Sequence, residues 1–116
     1  MKFEIDSNKL EQVIFKFLDN KNLINKTHNF IGNLIFFIES EESEYATIKI
    51  IKSNKETYCR VDDDLISEVS SFFSISDKDS FSYIIDWVEN KLGVEITQSY
   101  GVGSLSRANY MIYRRT

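Results

Sequence analysis

The stretch Thr57-Tyr58-Cys59-Arg60-Val61-Asp62-Asp63-Asp64-Leu65-Ile66-Ser67-Glu68-Val69-Ser70-Ser71-Phe72-Phe73 decides the fold, because the spacing of its apolar residues changes halfway along. Up to Val61 the side chains alternate. Cys59 and Val61 take one side and Tyr58 and Arg60 the other, the period of two expected of a strand covered on one face. Beyond Asp62, the residues Leu65, Ile66, Val69, Phe72 and Phe73 recur at helical spacing, with Asp62 or Asp63 as the cap. One oily face of a strand thus leads into one oily face of a helix, and both are expected to meet in a single interior.

Downstream, Phe81, Ile84, Ile85, Val88 and Leu92 define a second helix starting near Ser76. Asp77 and Asp79 fall in its first turn, where they complement the helix dipole. Gly93 stands where a left-handed residue ends a helix. Trp87 lies beside the apolar stripe and reads as a residue at the edge of the core.

Upstream, Tyr45 to Lys52 alternates, with Ala46, Ile48 and Ile50 opposite Thr47 and Lys49, and Leu34 to Ile38 is apolar on both faces, as expected of a central strand covered on both sides. With Thr57 to Val61 these make a meander of three strands joined at Ser40 to Ser43 and at Ser53-Asn54-Lys55. Leu10, Val13, Ile14, Phe17 and Leu18 form the stripe of a first helix within Ser7 to Asn25, preceded by a short edge strand at Lys2 to Ile5 and followed by a polar connection through Lys26, Thr27 and His28.

After Gly93, a strand at Val94 to Ser99 and another near Arg107 to Arg114 would make a closing hairpin. The alternative is that residues 100–116 form an arm ordered by a partner. The expected fold is α+β, a mostly antiparallel sheet packed by amphipathic helices in the order (β)αβββααβ(β), with residues 1–116 as one domain.

A chain of 116 residues, 42% hydrophobic and 28% charged, has the composition of a folded domain. At that length it buries roughly two-thirds of its unfolded surface, enough for one core without staples. Its one cysteine cannot form an intrachain disulfide, and Met1 to Asp6 lacks the basic-then-apolar run of a secretory signal, so a reducing, cytoplasmic setting is expected. Leu34 to Ile38, the longest apolar run, falls far short of the roughly 18–20 residues that span a bilayer.

Sites of chemistry are hard to assemble from these residues. His28 and Cys59 are the only soft metal ligands and lie in different elements. Asp62-Asp63-Asp64 lacks the spaced ligands and central glycine of a calcium loop and reads as a cap with dipole complement. Cys59 points inward, where free cysteine acts as a small hydrophobe. Gly101-Val102-Gly103 lacks the third glycine and following helix of a phosphate cradle. No catalytic residue, cofactor, metal or small-molecule ligand is expected, and the chain is read as non-enzymatic.

Charge is distributed unevenly. Residues 1–61 are net neutral, residues 62–89 carry a net −7, and Arg107, Arg114 and Arg115 make the last twenty residues net +3. The acidic helical pair would be repelled by phosphates, which argues against a helix-turn-helix and against nucleic acid as partner. Acidic helices are most often a solvated face. Their functional reading is a face that docks on a basic protein through Asp77, Asp79, Asp86 and Glu89. Tyr100, Arg107, Tyr110, Tyr113, Arg114 and Arg115 are residue types that anchor interfaces.

The block Val61-Asp62-Asp63-Asp64-Leu65-Ile66, through Phe72-Phe73-Ser74-Ile75-Ser76 and Ile84-Ile85-Asp86-Trp87-Val88 to Leu92-Gly93-Val94, resembles a strand, helix, helix, strand module of small accessory proteins of tailed bacteriophages. The resemblance covers about a third of the chain and rests on core and cap positions. It implies a viral accessory, assembly or host-interaction protein and lends no active-site residue. The expected function is therefore a protein-binding module, with self-association by strand addition through the C-terminal segment as its concrete form. Second comes an acidic inhibitor that blocks a nucleic-acid-binding site on a host protein, and third a weak binder of single-stranded nucleic acid.

Overall fold

The computed structural model describes residues 7–28, 33–43, 46–53, 55–102 and 110–113. The elements run α1 (Ser7–Asn20), β1 (Ile24–His28), β2 (Asn33–Ile38), β3 (Ile48–Lys52), β4 (Thr57–Asp62), α2 (Asp63–Phe73), α3 (Asp77–Leu92), β5 (Gln98–Val102) and β6 (Tyr110–Tyr113). The six strands form one sheet in chain order, with every neighbouring pair antiparallel except β4 and β5. That parallel pair needs a crossover connection, and α2 with α3 supplies it. The expected α+β fold is present.

Register explains why the helices share one side. Phe37, Ile48 and Val61 stand in one row across β2, β3 and β4, and Ile50 pairs with Cys59 in the next. All five are buried, in one cluster with Ile14 and Leu18 of α1, Leu65, Ile66 and Val69 of α2, and Phe81, Ile84, Ile85, Trp87 and Val88 of α3. The helices therefore form one layer and the sheet a second.

The helix ends follow from their capping residues. Ser76 accepts a hydrogen bond from the Asp79 amide at 3.0 Å, and Gly93 ends α3 at φ 63°. Asp62 occupies the cap position of α2 with extended backbone but closes no side-chain capping bond, while Ser74 takes the left-handed conformation at the other end. The fully buried Ser80 ties α3 to α2 by donating to the Ile66 carbonyl at 2.7 Å.

Several features depart from the reading of the sequence. The polar connection at Lys26 to His28 is part of an edge strand, so the meander has four strands, and α1 stops at Asn20. The strand expected at Val94 to Ser99 starts at Gln98, where Thr97 joins the β4 backbone through its own amide and hydroxyl. Thr47, expected on the wetter side, is buried because the chain bends there and its backbone bonds to Phe37 and Asp62. Phe72 and Val13, expected in the core, are 68% and 50% exposed. Residues 2–5, with the edge strand expected there, lie outside the described residues.

Candidate functional site

The residues singled out by the sequence separate onto opposite sides of the sheet. Asp77 and Asp79 are exposed at the start of α3. Farther along that helix, Asp86 is half-buried, and Glu89 turns back to accept the Ile96 amide at 2.8 Å. Glu89 thus anchors the connection into β5 instead of facing a partner. Tyr100 lies in β5 on the side away from the helices, since its neighbours Ser99 and Gly101 are buried. The backbones of Tyr110 and Tyr113 pair with Val102 and Ser99, and β6 closes the sheet as an edge strand, the kind of border that strand addition requires. The side chains of Tyr110 and Tyr113 fall outside the description, as do Arg107, Arg114 and Arg115 altogether.

A surface missed by the sequence reading lies between α1 and α2. The Phe17 ring sits 4.9 Å from Phe72 and 5.5 Å from Phe73, and the last two are 5.0 Å apart. One turn along, Lys21, just past the end of α1, pairs with Glu68 of α2. Phe17 to Lys21 therefore runs against Phe72 to Glu68, so the two helices are antiparallel here. Val13, a turn back from Phe17, extends the apolar strip toward the end where α2 gives way to α3 and its exposed Asp77 and Asp79. Single exposed apolar residues need no explanation, but here adjoining aromatic rings and an exposed valine make one apolar strip with carboxylates at one end, the candidate site of the helical layer.

The buried polar groups account for themselves structurally. Trp87, buried rather than at the core edge, donates its indole N–H to Asp19 at 3.0 Å, and Lys91 reaches the same carboxylate at 2.9 Å. Lys91 foremost, then Trp87, holds the Asp19 carboxyl below its ordinary range. This contribution to stability is present above the usual carboxylate range and is lost as pH falls through the lowered value. Burial pushes the Cys59 thiol well up, with the Glu89 charge adding to it, so at neutral pH it is a protonated, inaccessible group and not a nucleophile. Among the described residues, no three His, Cys, Asp or Glu side chains come together as metal ligands, and no helix is long and apolar enough to cross a membrane.

Asp62 behaves in the opposite sense to Asp19. Burial, then the charge of Asp64, raises its carboxyl pKa, outweighing the nearby backbone amides of Asp64 and Asp63. Because the folded chain binds this proton more tightly than the unfolded one, the ionised carboxylate opposes folding above its raised value. The penalty disappears as pH falls toward the unfolded value of about 3.9. Asparagine caps a helix as well as aspartate does. Asp62→Asn is therefore expected to raise the urea midpoint at pH 7, with the gain over the parent shrinking as pH approaches 4. A constant gain across that range would assign the effect to something other than the buried charge.

Taken together, fold and surfaces define a two-layer α+β protein whose acidic residues concentrate in the helical layer. The chain matches no family model, no curated protein and no solved structure.

Proposed function

We propose that the chain is a non-enzymatic protein-binding module that engages its partner through the helical layer, at the strip formed by Val13, Phe17, Phe72 and Phe73. The observation that carries this reading is Phe72, which remains 68% exposed although it touches two other rings, one tilted and one edge-on. Covering a phenylalanine on association contributes about 1.5–3 kcal/mol, enough for a hot spot. Asp77 and Asp79 at one end fit a partner segment that is apolar at its centre and cationic at its border. The likeness to accessory proteins of tailed bacteriophages supports a viral setting, with the host cytoplasm as the place of action.

A second reading shares the surface. Asp64, Glu68, Asp77 and Asp79 are all exposed in the helical layer, which fits an acidic inhibitor covering a nucleic-acid-binding site on a host protein.

The test is binding of a synthetic amphipathic peptide with leucine on one helical face and lysine on the other, followed by anisotropy and paired with affinity capture from host cells. Phe72→Ser is expected to weaken peptide binding at least tenfold while leaving the unfolding midpoint nearly unchanged. The double variant Asp77→Lys with Asp79→Lys is expected to remove most of its salt dependence. Equal binding by the parent and Phe72→Ser would overturn the assignment. Captured proteins that bind nucleic acid, and that release it when this chain is added, would select the inhibitor reading.

A further inference from the structure

The two borders of the strip between α1 and α2 carry opposite charge. Successive residues of a helix turn by about 100°, so Phe17 lies about 40° to one side of Val13 and Lys16 about 60° to the other. Phe17 is on the side of α2, where it meets Phe72 and Phe73. Lys16 therefore lines the opposite border, and it is exposed. Across the strip, α2 leads into the exposed Asp77, Lys78 and Asp79 of α3. Lys16, Asp77 and Asp79 close no ion pair among the described residues. Glu68 is neutralised by Lys21, and Lys9 and Asp64 already have partners, so none of these is counted. What remains is one positive charge on the α1 border and, with Lys78 offsetting one of the two carboxylates, one net negative charge on the other.

We propose that the occupant of this strip is a second copy of the chain, docked about a two-fold axis that runs along the strip. Self-association here rests on the strip being a docking surface, as proposed above, and names what docks on it. An isologous contact requires a surface that complements its own rotated image. Rotation about such an axis keeps apolar residues over apolar residues, with Phe72 of each copy near the axis, and exchanges the two borders. Lys16 of each copy then faces Asp77 and Asp79 of the other, and the contact is made twice. The partner that fits this surface is apolar at its centre and cationic at its border, and α1 has that composition in Val13, Phe17 and Lys16.

Helix direction agrees. Within the chain, α1 and α2 run antiparallel where Phe17 meets Phe72 and Lys21 meets Glu68. The rotation leaves direction along the axis unchanged, so α1 of one copy lies antiparallel on α2 of the other, and four helices close around the rings. Since α1 is about 21 Å long, a face two helices wide is at the small end of specific interfaces. The dimer is therefore a weak one that forms as concentration rises.

Sedimentation equilibrium of the full chain from micromolar to millimolar concentration tests this. The parent is expected to shift from the mass of one chain to that of two. Phe72→Ser removes a ring from both sides of the axis, so the tenfold loss expected against a peptide becomes about a hundredfold in the dimer constant. Lys16→Glu, and separately Asp77→Lys with Asp79→Lys, should each weaken self-association at low salt. An equimolar mixture of these two charge variants should dimerise about as well as the parent, because both exchanged borders are again acid against base. A parent that stays monomeric yet binds the leucine-lysine peptide overturns the second copy as occupant and leaves the helical surface standing. A parent that does neither overturns both. A dimer indifferent to Phe72→Ser, or charge variants no tighter mixed than alone, would likewise sink the two-fold arrangement.

Discussion

Trp87→Ala lowers the unfolding free energy by about 3–5 kcal/mol, the largest effect expected of any single truncation here. The indole is 3% exposed in a chain where α1, α3 and the sheet all converge on it. Its ring lies 5.4 Å from Phe37 of β2, and its N–H reaches Asp19 of α1. Removing it opens a cavity between the two layers and detaches the packing that seats α1 against α3. The lost hydrogen bond is the smaller part, because Asp19 is near the surface and keeps Lys91. At roughly 4 °C per kcal/mol for a chain of this size, the thermal midpoint should fall by more than about 10 °C. Circular dichroism is the measurement to use, since Trp87 is the sole tryptophan and the variant has no indole fluorescence to follow. Trp87→Phe should recover more than half of the loss. A loss of under about 1 kcal/mol in the alanine variant would mean that α1 is not seated as described.

How much of this was legible in the sequence depends on how strongly each segment states its period. In α3 the stripe from Phe81 to Val88, Ser76 at one end and Gly93 at the other agree with one another, and the helix has those bounds. From Ile48 to Ile50 in β3 and from Tyr58 to Val61 in β4 the side chains alternate, and they face as that alternation indicates. By contrast β1, Ile-Asn-Lys-Thr-His, offers one apolar residue in five. It is a strand because β2 presents an unpaired edge to it, which is a tertiary cause. Phe72 and Phe73 both satisfied the helical pattern, yet neighbours in a helix point about 100° apart and only one could follow Leu65 and Val69 inward. Phe73 packs against the core, and Phe72 leans over Phe17. The candidate surface was hidden for a tertiary reason too. Spacing read along one helix cannot show that Phe17 and Phe72 are neighbours, because the seating of α1 against α2 makes them so.

Gly101→Ala is expected to cost about 1–3 kcal/mol by overpacking, and the partner it disturbs can be named. A Cβ at Gly101 would lie 2.7 Å from Cδ1 of Ile66, with Phe81 Cε2 and the Val61 carbonyl oxygen at 3.7 Å. Ile66 of α2 is fully buried, so its terminal methyl cannot swing into solvent to make room. The backbone of β5 or the seat of α2 must shift instead. If this contact is the cause, removing that methyl relieves it. Ile66→Val alone should cost about 0.5–1.5 kcal/mol, while the double variant Ile66→Val with Gly101→Ala should cost clearly less than the two added together. A denaturant cycle over the four proteins, with unchanged m values, would read the coupling directly. Strict additivity would mean that β5 does not run against Ile66, and with it the parallel pairing to β4 that places Tyr100 beside Arg60 would lose its support.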